Sequence, residues 1–328
     1  MEDKDDLCQN KETAFQTNAL ISMGKRLLYF DIIKLFGIFC VVWAHVLQNL
    51  TVIPNYWLTD PLCKLIISFH MPLFMMTSGY FAYSSCFKPS PFNVAKRKFI
   101  QIIIPSVIWG LMVTGMAMLV HLDFSTEKFK FMAGNTLFSY WFLKSLFFCY
   151  VLMLIGVRLL RISRFYVAVY IILVASLSNY LDYSNSMSMM PYFLCGIILH
   201  HNKERISRMG KPLFMISLFA YLLVFSFWSL SEYNMYSHPY GFSELQPFII
   251  RTIIGLSGGL CWILLIKHLV SSVKRPFWDK CAKIGQMTMG IYLIQLIFAE
   301  SICKILSGHA YAAYSQSPPR FGFGMTSL

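Results

Sequence analysis

The sequence predicts an all-α protein, a polytopic transmembrane helix bundle of about nine spans. Three observations carry this. Only 13% of the 328 residues are charged, 57% are hydrophobic and mean hydropathy is +0.57, whereas a soluble domain carries roughly 25% charged residues. The apolar residues fall into runs near the 20 or so residues that a helix needs to cross a bilayer. Basic residues recur in every second connecting segment, as in a chain threading a membrane. Together these exclude a disordered chain and a single soluble domain.

The chain opens on a polar stretch, Met1 to Asn18, without the apolar core of a signal peptide, so residues 1–24 read as a cytoplasmic N-terminal tail. The apolar segments follow as Ile32–Leu50, Leu62–Tyr83, Ile100–Val120, Phe138–Val157, Tyr166–Leu177, Met187–His200, Pro212–Leu230, Phe248–Ile266 and Ile284–Leu306. The fifth and sixth are short and must be tilted or shielded by neighbours. Residues 25–306 are thus the membrane domain. The segment 307–328 is interrupted by Pro318, Pro319 and Arg320 and is too short and too broken for another span. It is expected to be an extracytoplasmic tail, truncated or frame-shifted near Gly308.

Charge sets the orientation. Lys88 and Lys96 to Lys98, then Arg158, Arg161 and Arg164, then Lys203 to Lys211, then Lys267 to Lys283 occupy alternate connections. Positive loops stay inside, which places the N-terminus in the cytoplasm. The net charge of +13 is then a topology signal, and no nucleic-acid partner is implied. The nine cysteines lack paired spacing, and Cys40, Cys149, Cys195 and Cys261 lie within apolar runs. They read as small buried hydrophobes, and no metal site is predicted.

Ionisable residues inside a membrane cost on the order of 3 kcal/mol each and are functional candidates by default. The first helix carries Asp31 and Lys34 at ion-pairing spacing and His45 eleven residues after Lys34. Eleven residues are about three turns, so Lys34 and His45 share one face roughly 16 Å apart along the axis. Taken alone, Lys34 could snorkel to the inner surface and His45 could be a neutral packing imidazole; the shared face argues against both. His70, on the next helix, falls at a similar depth, beside Pro72. Trp141, Lys144, Arg251 and Glu300 sit near outer helix ends, where each alone is an interface anchor and together they could line a polar vestibule suited to sugars. At the inner mouth, Arg26, Lys96, Arg97 and Lys98 could meet an anionic ligand or only signal topology.

These residues also resemble a known family. Lys34, ten residues and His45, with Asp31 before them, match the hallmark of the integral-membrane acyltransferase-3 family, most closely its fucose and polysaccharide O-acetylase branch. His70-Met71-Pro72-Leu73-Phe74 through Ser78-Gly79-Tyr80, Trp141-Phe142-Leu143, Pro191-Tyr192-Phe193-Leu194-Cys195-Gly196, and Ile284-Gly285 with Thr288 and Ile291-Tyr292-Leu293 resemble its further signatures, in order. Two positions depart from the pattern: Gln101 stands where a basic residue often precedes the third-helix proline, and Gln295 where many members have His.

The resemblance implies ten spans in a bacterial plasma membrane and transfer of an acyl group, usually acetyl. The donor would be cytoplasmic acetyl-CoA, used as a substrate and not as a bound cofactor, and the acceptor a hydroxyl of a cell-surface glycan or its lipid-linked precursor. His45 is then the expected general base for direct attack, or the nucleophile of an acyl-His45 intermediate, with Lys34 or a donor such as His70 steadying the oxyanion and Asp31 paired to Lys34. Arg26, Lys96, Arg97 and Lys98 would hold CoA phosphates. The rival readings are a transporter or flippase with a His/Asp/Lys proton relay, and a membrane partner protein without catalysis.

Overall fold

The computed structural model describes residues 28–50, 56–87, 90–121, 125–127, 129–130, 134, 140–163, 165–166, 170, 184–229, 242–272 and 275–295. All the extended elements among them are helical. Helix α1 is Leu28–Leu50 and α2 is Pro61–Cys86. Next, α3 (Pro91–Lys98) continues through a π-turn (Phe99–Ile103) into α4 (Ile104–His121). Then come α5 (Trp141–Ile162), α6 (Ser184–His201), the short α7 (Lys203–Arg208) and α8 (Gly210–Phe227). Last are α9 (Phe242–Ser272), α10 (Arg275–Gln286) and α11 (Thr288–Gln295).

Six helical stretches among the described residues are long and apolar enough to cross a membrane: Leu28–Asn49, Pro61–Cys86, Pro91–Gly115, Trp141–Ile162, Gly210–Phe227 and Gln246–Ser272. Helix α6 forms where the sixth segment was expected but is not among them, because its first turns are Ser- and Asn-rich. Most of Tyr166–Leu177, and both tails, lie outside the described residues.

Two boundaries differ from the sequence reading. The third span starts at Pro91, so Lys96, Arg97 and Lys98 ride on a helix and not in a loop. Pro91 in the first turn favours that start. Farther on, Pro105 cannot donate to the carbonyl of Gln101, and the π-turn widens the helix there. The last expected span does not begin at Ile284. Residues 284–286 close the amphipathic α10, the chain turns at Met287, and α11 starts afresh. The Thr288 hydroxyl donates to the Gly285 carbonyl and satisfies the broken ladder.

Helix α2 is the axis of the bundle. Asp60 caps it, accepting from Cys63 N at 2.7 Å, and it packs on α1, α5, α6 and α9. Its closest partner is α6. A Cβ on Gly79 would lie 2.0 Å from the Phe193 carbonyl oxygen, and one on Gly196 would lie 2.0 Å from that of Met76. Backbone meets backbone here, in the manner of small-residue crossings in membranes.

The basic segments gather at one end. Arg161 donates to the Phe87 carbonyl (3.3 Å), Tyr83 meets His201 (3.0 Å), and Lys203 and Lys267 line one cavity. His45, His70 and Arg251 belong to the opposite half of their helices.

Candidate active site

In the first turns of α1, Lys34 Nζ pairs with Asp31 Oδ1 at 3.1 Å, with the Asp31 side chain buried. Gln286 donates to the other Asp31 oxygen at 3.4 Å. A Cβ on Gly285 would sit 1.9 Å from the Asp31 carbonyl oxygen, so α10 docks directly on this turn. Lys34 also lies 5.3 Å from the centre of the Phe81 ring. Its side chain is 29% exposed, and these contacts tether it to the bundle.

From there a cavity of about 270 Å³ runs along α1 toward its C-terminal end, between α1, α2, α5 and α11. Lys34, Ile38 and Val41 line it from α1, and Thr77, Phe81, Phe142 and Tyr292 are among its other walls. His45 is the next member of the α1 stripe, one turn past Val41. The predicted shared face is thus the face that looks onto this cavity.

His45 is half-buried. On α2, His70 is buried, and its ring Nδ1 lies 2.8 Å from the Ile66 carbonyl oxygen. A carbonyl only accepts, so Nδ1 carries the proton, and a neutral His70 presents Nε2 as an acceptor. Nε2 is the ring nitrogen left for the site, and it donates only when the ring carries both protons. His45 and Arg251 both lie within electrostatic range of His70.

Arg251 is not an anchor at the outer surface. It is 6% exposed, one turn before Gly255, which packs on Pro72 and Tyr192, and its carbonyl accepts from the Tyr192 hydroxyl at 3.0 Å. Four elements therefore converge on the outer half of the site, and sequence spacing had paired only two of them.

At the end of the bundle where the basic segments gather, a second space of about 330 Å³ is lined by residues that include Ser85, Ser90, Asn93, Arg97, Lys98 and Gln101. Some of its walls are near those of the first cavity along the chain: Phe81 and Ser85 are one turn apart on α2, and Gln101 and Ile102 are neighbours in the π-turn. Lys98 Nζ also sits 4.8 Å from the centre of the Tyr150 ring. Lys96 is exposed and is not among the lining groups, so the structure joins two of the basic residues and leaves the third apart. Trp141 is half-buried beside Phe142, and Lys144 is exposed on α5. Arg26 and Glu300 lie outside the described residues.

Sequence reasoning missed Gln286 as a partner of Asp31, because that contact joins residues 255 positions apart. Among the described residues, no three His, Cys, Asp or Glu side chains come together as a metal site.

Comparison with known proteins bears on this geometry. The profile of the acyltransferase domain family matches residues 27–327. Nodulation protein NolL of Sinorhizobium fredii is 25% identical over 291 residues, covering 83% of this chain and 78% of that relative. NolL of Mesorhizobium japonicum is 24% identical over 301 residues, covering 83% and 76%. No solved structure matches the chain. With multi-pass helices, the Lys34–His45 face turned onto a cavity, and a family match from the start of α1 almost to the last residue, this chain belongs to the acyltransferase-3 family of integral-membrane acyltransferases.

Proposed function

We propose that the chain is a membrane O-acetyltransferase. It takes acetyl from cytoplasmic acetyl-CoA and delivers it to a hydroxyl of a cell-surface glycan or its lipid-linked precursor, in a bacterial plasma membrane with the N-terminus inside. Two observations support this. The Lys34 cavity reaches Val41, one turn before His45. Arg97 and Lys98 line a second space whose Ser85 wall is one turn of α2 from Phe81 of the first, and we read the two as one path for the donor. A donor with phosphates at one end and a thioester at the other suits that path. The phosphates meet cations at the inner mouth, and the acyl end lies along the Lys34–Val41 stripe. The names of the two relatives, nodulation proteins of bacteria, agree with a bacterial setting.

The hydroxyl oxygen attacks the thioester carbonyl carbon while His45 takes its proton. The C–O bond forms, the C–S bond breaks, and the proton passes to the departing CoA sulfur. Lys34 serves the donor's arm and not the reacting carbonyl. One of its three N–H donors goes to Asp31, which leaves others for a polar group in the cavity it lines. Arg251 sets the charge beside His70, and Trp141, Lys144 and Glu300 are assigned to the acceptor side.

The test is transfer of labelled acetyl from acetyl-CoA by purified protein, scored on glycans by mass spectrometry. Arg97→Gln should raise KM for acetyl-CoA several-fold, about 1 kcal/mol for an exposed charge contact, with kcat nearly unchanged. High salt should shrink the difference.

Lys267→Gln is the control. Lys267 lines a separate cavity of about 300 Å³ whose walls include Met76 and Leu260 and none of the residues around the Lys34 cavity. An equal KM rise in both variants would dissociate the inner mouth from donor binding. Substrate flux without acyl chemistry would favour a transporter.

A further inference from the structure

In the proposed reaction, negative charge develops on the acyl carbonyl oxygen just below His45. The two groups first expected to meet it are elsewhere or occupied. Lys34 lies about three turns, roughly 16 Å, down the helix axis and is paired with Asp31. His70 commits its Nδ1–H to Ile66.

We propose that Gln295 is the oxyanion donor, its side-chain Nε2–H bonding the acyl carbonyl oxygen of the bound donor as the hydroxyl adds. This rests on the acyltransferase reading above and names the group that completes its site.

The first observation is burial without partners. Gln295 is 5% exposed, and neither its Nε2 nor its Oε1 has a hydrogen-bond partner among the described residues. Nearly all buried polar side-chain atoms in native proteins are bonded, and each exception calls for a reason. An amide kept dry and unpaired destabilises the empty protein, which is tolerable where a ligand completes it.

The second observation is register. Thr288, Tyr292 and Gln295 fall on one stripe of α11, and the first two line the Lys34 cavity. Helix α11 packs on α1, and Thr288 lines the cavity at its inner end, together with Lys34 and Gln286. Seven residues of rise, about 10 Å, carry Gln295 to the level of Val41, the last cavity residue before His45. Each stripe thus continues beyond its last cavity-lining residue, α1 from Val41 to His45 and α11 from Tyr292 to Gln295, one ending in a base and the other in an amide.

The third observation is rigidity. The Tyr140 hydroxyl donates to the Leu293 carbonyl at 3.2 Å, and the Tyr292 ring packs edge-on against Tyr140 and Phe142. These contacts hold the turn of α11 that carries Gln295, and a donor carried on a fixed element reorganises less to reach the developing charge. In the balanced step, the C–O bond forms and the C–S bond breaks. The hydroxyl proton goes to His45 and then to the sulfur, while Gln295 lends a hydrogen bond and exchanges no proton.

Full-length protein in detergent tests this with Gln295→Met, which keeps length and removes both polar atoms, and Gln295→Leu as a second apolar variant. Melting temperature is read without substrate, and kcat and KM are read with acetyl-CoA. The expected result is a melting temperature equal to or above wild type, with kcat lower by about 10²–10³-fold and KM for acetyl-CoA within a few-fold. Turnover within a few-fold of wild type in a folded variant would overturn the assignment. So would a fall in kcat that comes with a lower melting temperature in both variants, because the amide would then be bonded within the protein. Wild-type protein that transfers no acetyl group would instead end the acyltransferase reading itself, which keeps the two failures apart.

Discussion

His45→Ala should lower acetyl transfer by about 10²–10⁴-fold, the usual contribution of a general base, while the protein still inserts and folds. The imidazole is half-buried in an apolar helix, and its neighbours in sequence are Ala44 and Val46. Ala removes a polar ring from that setting and is a strong helix former. The backbone carbonyl at this position, which accepts from the Asn49 side chain at 2.8 Å, is untouched. The loss should therefore fall on kcat and not on yield or melting temperature. His45→Gln, which keeps hydrogen bonding but has no basic nitrogen, should be nearly as inactive. Near-normal turnover in either variant, measured with labelled acetyl-CoA, would remove His45 from the chemistry and reopen the choice of base.

Gly196→Val should have the largest effect on stability. The added Cβ would lie 2.0 Å from the Met76 carbonyl oxygen and 2.7 Å from the Tyr80 nitrogen, both backbone atoms of α2. Overpacking against side chains costs about 1–3 kcal/mol because rotamers can yield, but backbone cannot, so α2 and α6 must separate. Separation also disturbs His70, carried on the same α2. We expect little monodisperse protein in detergent and a lowered melting temperature in what survives. Gly290→Val is the matched control, since a Cβ there meets nothing within 4 Å among the described residues, and it should behave as wild type. A Gly196→Val protein as stable as that control would show that the helices do not meet this closely.

Much of this protein was legible in its sequence because membranes simplify the code. A bilayer demands long apolar helices and a sided distribution of Lys and Arg; scarcity of charge, apolar runs and alternating basic segments were enough to predict an all-helical, multi-pass chain. Helical period alone placed Lys34 and His45 on one face and Asp31 beside Lys34. Motif order then pointed to the acyltransferase family. Each of these is a local property, set by spacing within one helix or by composition within one segment.

What only the tertiary structure decided depends on contacts between distant segments. Spacing could not show that Gln286 bonds Asp31, because α10 reaches α1 only when the bundle closes. Nor could hydropathy show that Arg251 is buried near His70, since a cation near a helix end reads as an interface anchor until a neighbour covers it. The tautomer of His70 follows from one carbonyl, that of Ile66. The basic run at Lys96 looked like a loop because charge usually marks one, yet the helix starts before it at Pro91. Gln295 stood out in the sequence only as a departure from a motif. Its burial, with both polar atoms unpaired among the described residues, appears only when α11 is packed on α1. Periodicity determines which residues share a face; the fold determines what that face meets.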